Sequence, residues 1–132
     1  MGTIVVGFVS KPEGRAAVRR GIDEAKLRGS RLVVLNSHRG GREFDAEKAI
    51  EVEHGLEEVR AELEASGVEH DIRQLVRGQE VAEDVVAVAE ETGADLIVIG
   101  LRRRTPVGKL LLGSNAQRIL LDAPCAVLAV KA

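Results

Sequence analysis

The chain has 132 residues, of which 45% are hydrophobic and 30% charged, so it is long enough for one domain with a core and short for two. It contains two Phe and no Trp or Tyr, which removes the aromatic stacking platform on which single-stranded nucleic-acid binding depends. A formal net charge of -2 argues against broad electrostatic binding to DNA or to an anionic membrane. We therefore expect neither a nucleic-acid partner nor a membrane partner.

The cysteine content and the apolar runs indicate where the protein works. A single cysteine, Cys125, excludes an internal disulfide and, within its apolar run, is expected to be a buried, unreactive thiol. The first residues, MGTIVVGFV, lack a basic flank and lead directly into a strand pattern, so no secretory signal is predicted. No apolar run approaches the roughly 18 residues of a membrane-spanning helix. The sequence predicts a cytoplasmic protein with a single domain over residues 1–132.

The first half of the chain alternates strand and helix. Residues 3–9 predict a strand, and residues 12–29 a helix with Pro12 in its first turn and Gly29 as its stop. Its expected buried face carries Ala17, Val18, Ile22, Ala25 and Leu27. A strand at 31–37 then precedes a helix at 44–67, whose expected apolar face carries Ile50, Leu56, Val59 and Leu63.

The second half repeats the alternation. A weaker strand at 69–77 leads into a helix at 80–93, which presents Val81, Val85, Val88 and Ala89. A strand at 95–101, a short helix at 114–123 and a strand at 126–131 complete the chain. Continuous β-branched runs are typical of strands buried on both faces of a parallel sheet. The order predicts an α/β fold: one doubly wound, five-stranded, mainly parallel sheet with helices on both faces, in a Rossmann-like three-layer arrangement.

In an open sheet of this kind, ligands bind at the carboxyl ends of the strands, near the switch in strand order. One segment at such a place, GLRRRTPVGKLLLGSNAQ (100–117), stands out. Ser114 and Gln117 fit an S-x-x-Q capping box that begins a helix after Gly113. Free helix amides, the Ser114 hydroxyl, the Asn115 amide and a nearby guanidinium would together suit a phosphate. The same pattern fits a Ser114 that only caps its helix, and pattern alone favours that interpretation.

The arginines Arg102, Arg103 and Arg104 leave a similar choice open. They can contact phosphate through bidentate hydrogen bonds, or they can form a short solvated charge run. The three histidines fall in different segments, and no Cys/His spacing suits zinc. No catalytic constellation is visible, so we expect a binding protein rather than an enzyme and rank ATP hydrolysis last.

From TIVVGFV to PCAVLAVK the sequence resembles the universal stress protein family. The strand ADLIVIG and the segments LLLGS and DAPCAVLAV match the family pattern closely, and RGQEVAEDVVAVAEETG keeps its third-helix pattern. Many members bind ATP or AMP through a loop of the form G-x2-G-x9-G-[ST]. On this motif Gly100 takes the first glycine, Gly113 the third and Ser114 the hydroxyl, whereas Arg103 stands at the middle glycine.

The end of the first strand departs from the family as well. Members that bind nucleotide usually carry an Asp-Gly-Ser-like step there, and this chain has Val9-Ser10-Lys11, with no carboxylate for the base or ribose. The resemblance implies ATP or AMP as the ligand, with Mg²⁺ only as a companion of ATP. The strand ends, the helix start and the resemblance together predict a site of Val9, Ser10, Lys11, Asn36, Gly100, Arg102, Arg103, Gly113, Ser114 and Asn115. The alternative is a stress-response interaction protein of the same fold that binds no nucleotide.

The last strand carries a prediction about assembly. Universal stress proteins commonly dimerise by pairing their last strands antiparallel, so the resemblance implies a homodimer through Val127 to Val130. The segment PCAVLAVKA is apolar almost throughout, and its backbone would be exposed at a sheet edge. An interior strand, or an edge blunted by Lys131, would fit the same residues.

Overall fold

The computed structural model describes residues 2–38, 46–76, 79–101 and 112–132. Strands and helices alternate through these ranges as predicted. The strands are β1 (Thr3–Gly7), β2 (Arg31–His38), β3 (His70–Val76), β4 (Leu96–Leu101) and β5 (Ala126–Lys131). The helices are α1 (Pro12–Arg28), α2 (Ala46–Ser66), α3 (Val81–Thr92) and α4 (Ser114–Asp122).

The five strands form one sheet in the order β3-β2-β1-β4-β5, and all four pairings are parallel. At the centre of the sheet, Val5 of β1 lies in register with Val33 on one side and Ile97 on the other. The chain moves outward from β1 to β3 and then returns to place β4 on the opposite side of β1. The predicted doubly wound sheet is confirmed, and its switch point lies between β1 and β4.

Side chains alternate between the two faces of each strand, and each face has its own helix pair. Ile4 and Val6 of β1 pack with α1 and α2, whereas Val5 packs with α3 and α4. Glycines close the first three helices in left-handed conformations, with φ of 65° at Gly29, 75° at Gly67 and 63° at Gly93. The predicted layers and helix stops are therefore present.

Two residues predicted to be buried are exposed. Leu27 is 82% exposed and Ile50 is 59% exposed. At 3.6 residues per turn, Leu27 lies about 140° around α1 from the buried Ile22, and Ile50 lies about 180° around α2 from the buried Val59. Both predictions included an apolar residue in the buried stripe although the helix geometry turns that residue away from the sheet.

Cys125 is half-buried rather than buried, because it lies between α4 and the edge strand β5. Partial burial, with a smaller contribution from the negative charge of Asp95, raises the pKa of its thiol. The thiolate fraction is therefore reduced, in keeping with the expected low reactivity. Within the described ranges, no helix combines the length and the apolar character needed to cross a bilayer.

Candidate functional site

A cleft of about 150 Å³ opens where β1 and β4 end, at the switch point of the sheet. The strand ends form its floor, and the first turns of α3 and α4 form its walls. Asn115 is the polar residue in its lining, and the other lining residues are apolar: Gly7, Phe8, Val9, Leu35, Val81, Val85, Ile99, Gly100, Ala116 and Ile119. Val9, Gly100 and Asn115 are the residues of the predicted site that the structure brings to this cleft.

The size of the cleft limits what it can enclose. Pockets that enclose a whole drug-sized ligand typically measure about 300–1,000 Å³. The cleft here, at about 150 Å³, is smaller than that range. An apolar cleft of this size suits a flat ring system, and any charged group attached to that ring must lie outside it.

Two helix N-termini flank the cleft, and their charge environments differ. The first turn of α3 carries Glu83 and Asp84, which offset the positive end of its dipole. The first turn of α4 carries no acidic residue. Its first intrahelical bond runs from the Gln117 amide to the Gly113 carbonyl at 3.0 Å, so the amides of the preceding three residues have no helical partner. Of the two, α4 is therefore the better place for an anion.

The start of α4 differs from the predicted capping box. Gly113 is the N-cap residue, with φ -66° and ψ 163°, and no side chain makes a cap bond. Ser114 is the first helical residue and is exposed, while Gln117 Nε2 donates to the Leu112 carbonyl at 3.0 Å. The capping-box prediction is wrong because the helix starts one residue earlier than it assumed, with Ser114 as its first residue and not its N-cap. The Ser114 hydroxyl is consequently not committed to capping.

Asn115 connects the two cleft walls. Its Oδ1 accepts the backbone N–H of Ala82, in the first turn of α3, at 3.2 Å. One turn along α4, Arg118 Nη1 contacts Glu83 Oε1 at 3.4 Å, in an exposed ion pair. The half-buried hydrogen bond lies at the cleft and the surface ion pair lies outside its lining, and both join the same two helices.

Gly100 has a packing role that the motif did not reveal. A Cβ atom added to it would lie 2.6 Å from the carbonyl carbon of Glu13, in the first turn of α1. A Cβ added to Gly14 would lie 2.7 Å from the backbone nitrogen of Val9. The start of α1 is therefore packed directly against the backbone of β4 and of the turn after β1. Sequence reasoning missed Gly14, and an isolated glycine in a helical first turn was its only signal.

Three predicted site residues lie away from the cleft. Strand alternation points Leu35 into the cleft and Asn36 to the α1–α2 face, where its Nδ2 donates to the Phe8 carbonyl at 3.1 Å. Ser10 Oγ is buried beside α2, where a Cβ on Gly55 would lie 2.6 Å from it. Lys11 is exposed as the N-cap residue of α1 and makes no side-chain cap bond.

A buried polar pair behind the cleft was not anticipated. Ser37 Oγ donates a short hydrogen bond to Asp84 Oδ2, and Asp84 is fully buried. The described part of the chain supplies no hydrogen-bond partner for the other oxygen, Oδ1. The signal was available: Asp84 lies three residues after Val81 and four before Val88, on the apolar face of the third helix.

The predicted contacts of Arg102 and Arg103 with phosphate lie outside the described residues. Within the described ranges, no group of three or more His, Cys, Asp or Glu side chains could hold a metal ion. His38 ends β2, and partial burial lowers the pKa of its imidazole.

Comparison with known proteins identifies the family. Residues 1–131 match the Universal stress protein family. A universal stress protein of Mycolicibacterium smegmatis is 49% identical over 128 residues, which cover 97% of this chain and 96% of the relative. The chain therefore belongs to the universal stress protein family.

Solved structures agree with this assignment. A universal stress protein from Archaeoglobus fulgidus has a TM-score of 0.87 and 36% identity, over 99% of each chain. A structure of the universal stress protein from Archaeoglobus fulgidus in complex with dAMP has a TM-score of 0.80 and 31% identity, over 99% of this chain and 98% of that one.

Proposed function

We propose that this universal stress protein binds an adenine nucleotide, AMP or ATP, with the base in the apolar cleft and the phosphate at the start of α4. The observation that carries the proposal is the small apolar cleft at the switch point, bordered by the one flanking helix N-terminus without acidic residues in its first turn. The dAMP complex of the Archaeoglobus fulgidus relative supports the same ligand class.

The base fits the cleft on physical grounds. The cleft presents aliphatic side chains, and a flat heteroaromatic ring that packs on them removes its apolar surface from water. These side chains are Val9, Leu35, Val85 and Ile99. A cleft of about 150 Å³ is smaller than pockets that enclose a whole drug-sized ligand, so we place the sugar outside it, toward the helix start. Val9 replaces the carboxylate usual in the family, so base and ribose binding here depends on shape and burial more than on a charged hydrogen bond.

The phosphate binds at the amides that open α4. Gly113, the N-cap residue, has no side chain that would keep a phosphate away from these amides. The exposed Ser114 hydroxyl adds a hydrogen-bond donor beside them. The arginines Arg102 and Arg103 precede this turn in the sequence and add positive charge in the family's phosphate loop. Mg²⁺ would accompany ATP through the phosphate oxygens and not through a protein carboxylate cage.

We further propose that the protein is a cytoplasmic binding module rather than an enzyme, and that it dimerises through β5. This strand lies at the edge of the sheet, where Val127 to Val130 are half-buried in the single chain. Pairing with a second copy would satisfy its outward backbone groups and cover these side chains.

Titration calorimetry with AMP, ATP and dAMP tests the ligand. Gly7→Ala is the informative variant, because its added Cβ would lie 3.7 Å from Ile99 and 3.8 Å from Val85, which fits the fold while taking up cleft volume. We expect saturable micromolar binding by the wild type and at least about tenfold weaker AMP binding by Gly7→Ala, as overpacking costs about 1–3 kcal/mol. An unchanged denaturation midpoint is the control for folding.

Two results would overturn the proposal. Absence of saturable binding below millimolar ligand would favour the alternative, an interaction protein of the same fold without nucleotide. That alternative draws support from Val9 and Arg103 at the family's pocket positions. Wild-type AMP affinity in Gly7→Ala would place the ligand somewhere other than the cleft.

A further inference from the structure

The first turn of α3 receives its cap from another helix. Its own N-cap residue, Glu80, makes no side-chain cap bond. The Ala82 amide lies in the first turn, where the helix itself offers no acceptor, and Asn115 Oδ1 takes this role from α4 at 3.2 Å. Asn115 and its neighbour Ala116 also line the cleft opposite Val81. The hydrogen bond therefore fixes the separation of the two helix starts at the cleft.

We propose that the Asn115 side chain is a positioning residue for nucleotide binding: its Oδ1 holds the start of α4 against α3, and its lack of charge leaves that helix start open to phosphate. This inference rests on the proposed function and adds the residue that sets the geometry of the site. The described contacts between the helices include a second polar tie, Arg118 to Glu83, which is exposed on both sides and is expected to contribute little.

The hydrogen bond and the charge can be separated by substitution. Asn115→Ala removes the acceptor and leaves the Ala82 amide without its partner. Asn115→Asp keeps an oxygen acceptor at the same position but places a negative charge among the α4 amides. That charge favours the helix start itself, because it complements the dipole, and it repels a phosphate bound at the same amides. A residue with a purely structural role would tolerate Asn115→Asp in every assay.

Amide hydrogen exchange of the ligand-free protein tests the tie between the helices. We expect the Ala82 amide to exchange at least about tenfold faster in Asn115→Ala than in the wild type, because its acceptor is gone. In Asn115→Asp and in the control Arg118→Ala the rate should stay within about threefold of the wild type, because Oδ1 remains in both. An unchanged Ala82 rate in Asn115→Ala would refute the tie.

Binding of AMP and of adenosine tests the consequence for ligand. Asn115→Ala should weaken AMP at least about tenfold. Asn115→Asp should weaken AMP by a similar factor and leave adenosine within about threefold of the wild type, because adenosine carries no phosphate. Arg118→Ala should change neither. Wild-type AMP affinity in Asn115→Ala, or equal losses of AMP and adenosine in Asn115→Asp, would overturn the inference.

The two experiments keep the proposals apart. A wild type that binds neither AMP nor adenosine would overturn the proposed function, and with it the role of Asn115 toward nucleotide. A wild type that binds AMP, with Asn115→Ala binding it equally well, would overturn the positioning role alone. If Asn115→Ala does not fold, Asn115→Asp still decides the question through its contrast between AMP and adenosine.

Discussion

Replacing Gly100 by alanine tests the close packing of α1 on β4. The added Cβ would lie 2.6 Å from the carbonyl carbon of Glu13, and the nearby carbonyl oxygen would be closer still. These are backbone atoms of the first turn of α1, so no side-chain rotation can relieve the contact. The first turn cannot move freely either, since Gly14 lies against the backbone of Val9 on its other side.

The size of the effect follows from this geometry. Carbon atoms in favourable contact lie about 3.5 Å or more apart, so the start of α1 must move by at least about 0.9 Å, and the closer carbonyl oxygen adds to this. Overpacking of this kind typically costs about 1–3 kcal/mol. The loss of glycine freedom in the unfolded chain offsets about 0.4–1 kcal/mol of that cost. Because the strain falls on backbone, we expect a net loss of about 2 kcal/mol in the free energy of unfolding.

Urea denaturation followed by circular dichroism measures this loss, and Gly7→Ala is the matched control. Gly7 also ends a central strand beside the cleft, but its added Cβ meets only side-chain methyl groups at 3.7 and 3.8 Å. Gly7→Ala should therefore remain within about 1 kcal/mol of the wild type. If Gly100→Ala proved as stable as Gly7→Ala, the close approach of α1 to β4 would be wrong.

Three further substitutions test other parts of the structure. Ser114→Ala should change the free energy of unfolding by less than about 0.5 kcal/mol in urea, since Ser114 makes no cap bond; a loss of about 1 kcal/mol, usual for an N-cap, would contradict a helix start at Gly113. Asp84→Ala should cost about 1–3 kcal/mol, because the buried Ser37 hydroxyl loses its acceptor, and adding Ser37→Ala should recover part of that loss. Full additivity in this double-mutant cycle would exclude coupling of the pair. Burial lowers the pKa of His38, so the unfolded chain, whose His pKa is about 6.5, binds the proton first and stability falls as the pH drops through that value. The urea midpoint should thus decrease less between about pH 7.5 and about pH 5.5 in His38→Gln than in the wild type, and equal decreases would contradict the assignment.

Much of the fold could be predicted because its signals are local. Apolar β-branched runs separated by helical periods require a parallel sheet, since only crossover helices can join such strands. Glycines such as Gly29 and Gly93 marked helix ends because few other residues adopt positive φ without strain. The errors at Leu27 and Ile50 arose where an apolar residue lay on the side of the helix away from the buried stripe. Apolar character alone does not show on which side of a helix a residue lies, whereas the rotation angle around the helix does.

The candidate site was only partly predictable, because its walls come from segments far apart in the chain. The motif drew attention to Gly100 and to the start of α4, and both lie at the cleft. It gave no indication that Asn115 would bond to Ala82, which lies 33 positions earlier. The pairing of Ser37 with Asp84 spans 47 positions and depends on how α3 packs across β2. Such contacts are set by the crossing of elements and leave no spacing pattern in the sequence.

The sequence by itself determined the family, the order of the elements and the edge of the sheet at which the candidate cleft lies. These properties depend on hydrophobic periodicity and on the chirality of crossovers, both of which act along the chain. Only the tertiary structure decided which way Asn36 points, why a side chain at position 100 would not fit and which residue caps the start of α3. Those outcomes depend on distances between helices and strands, and in a close-packed interior a change of a fraction of an ångström in such a distance alters the contacts.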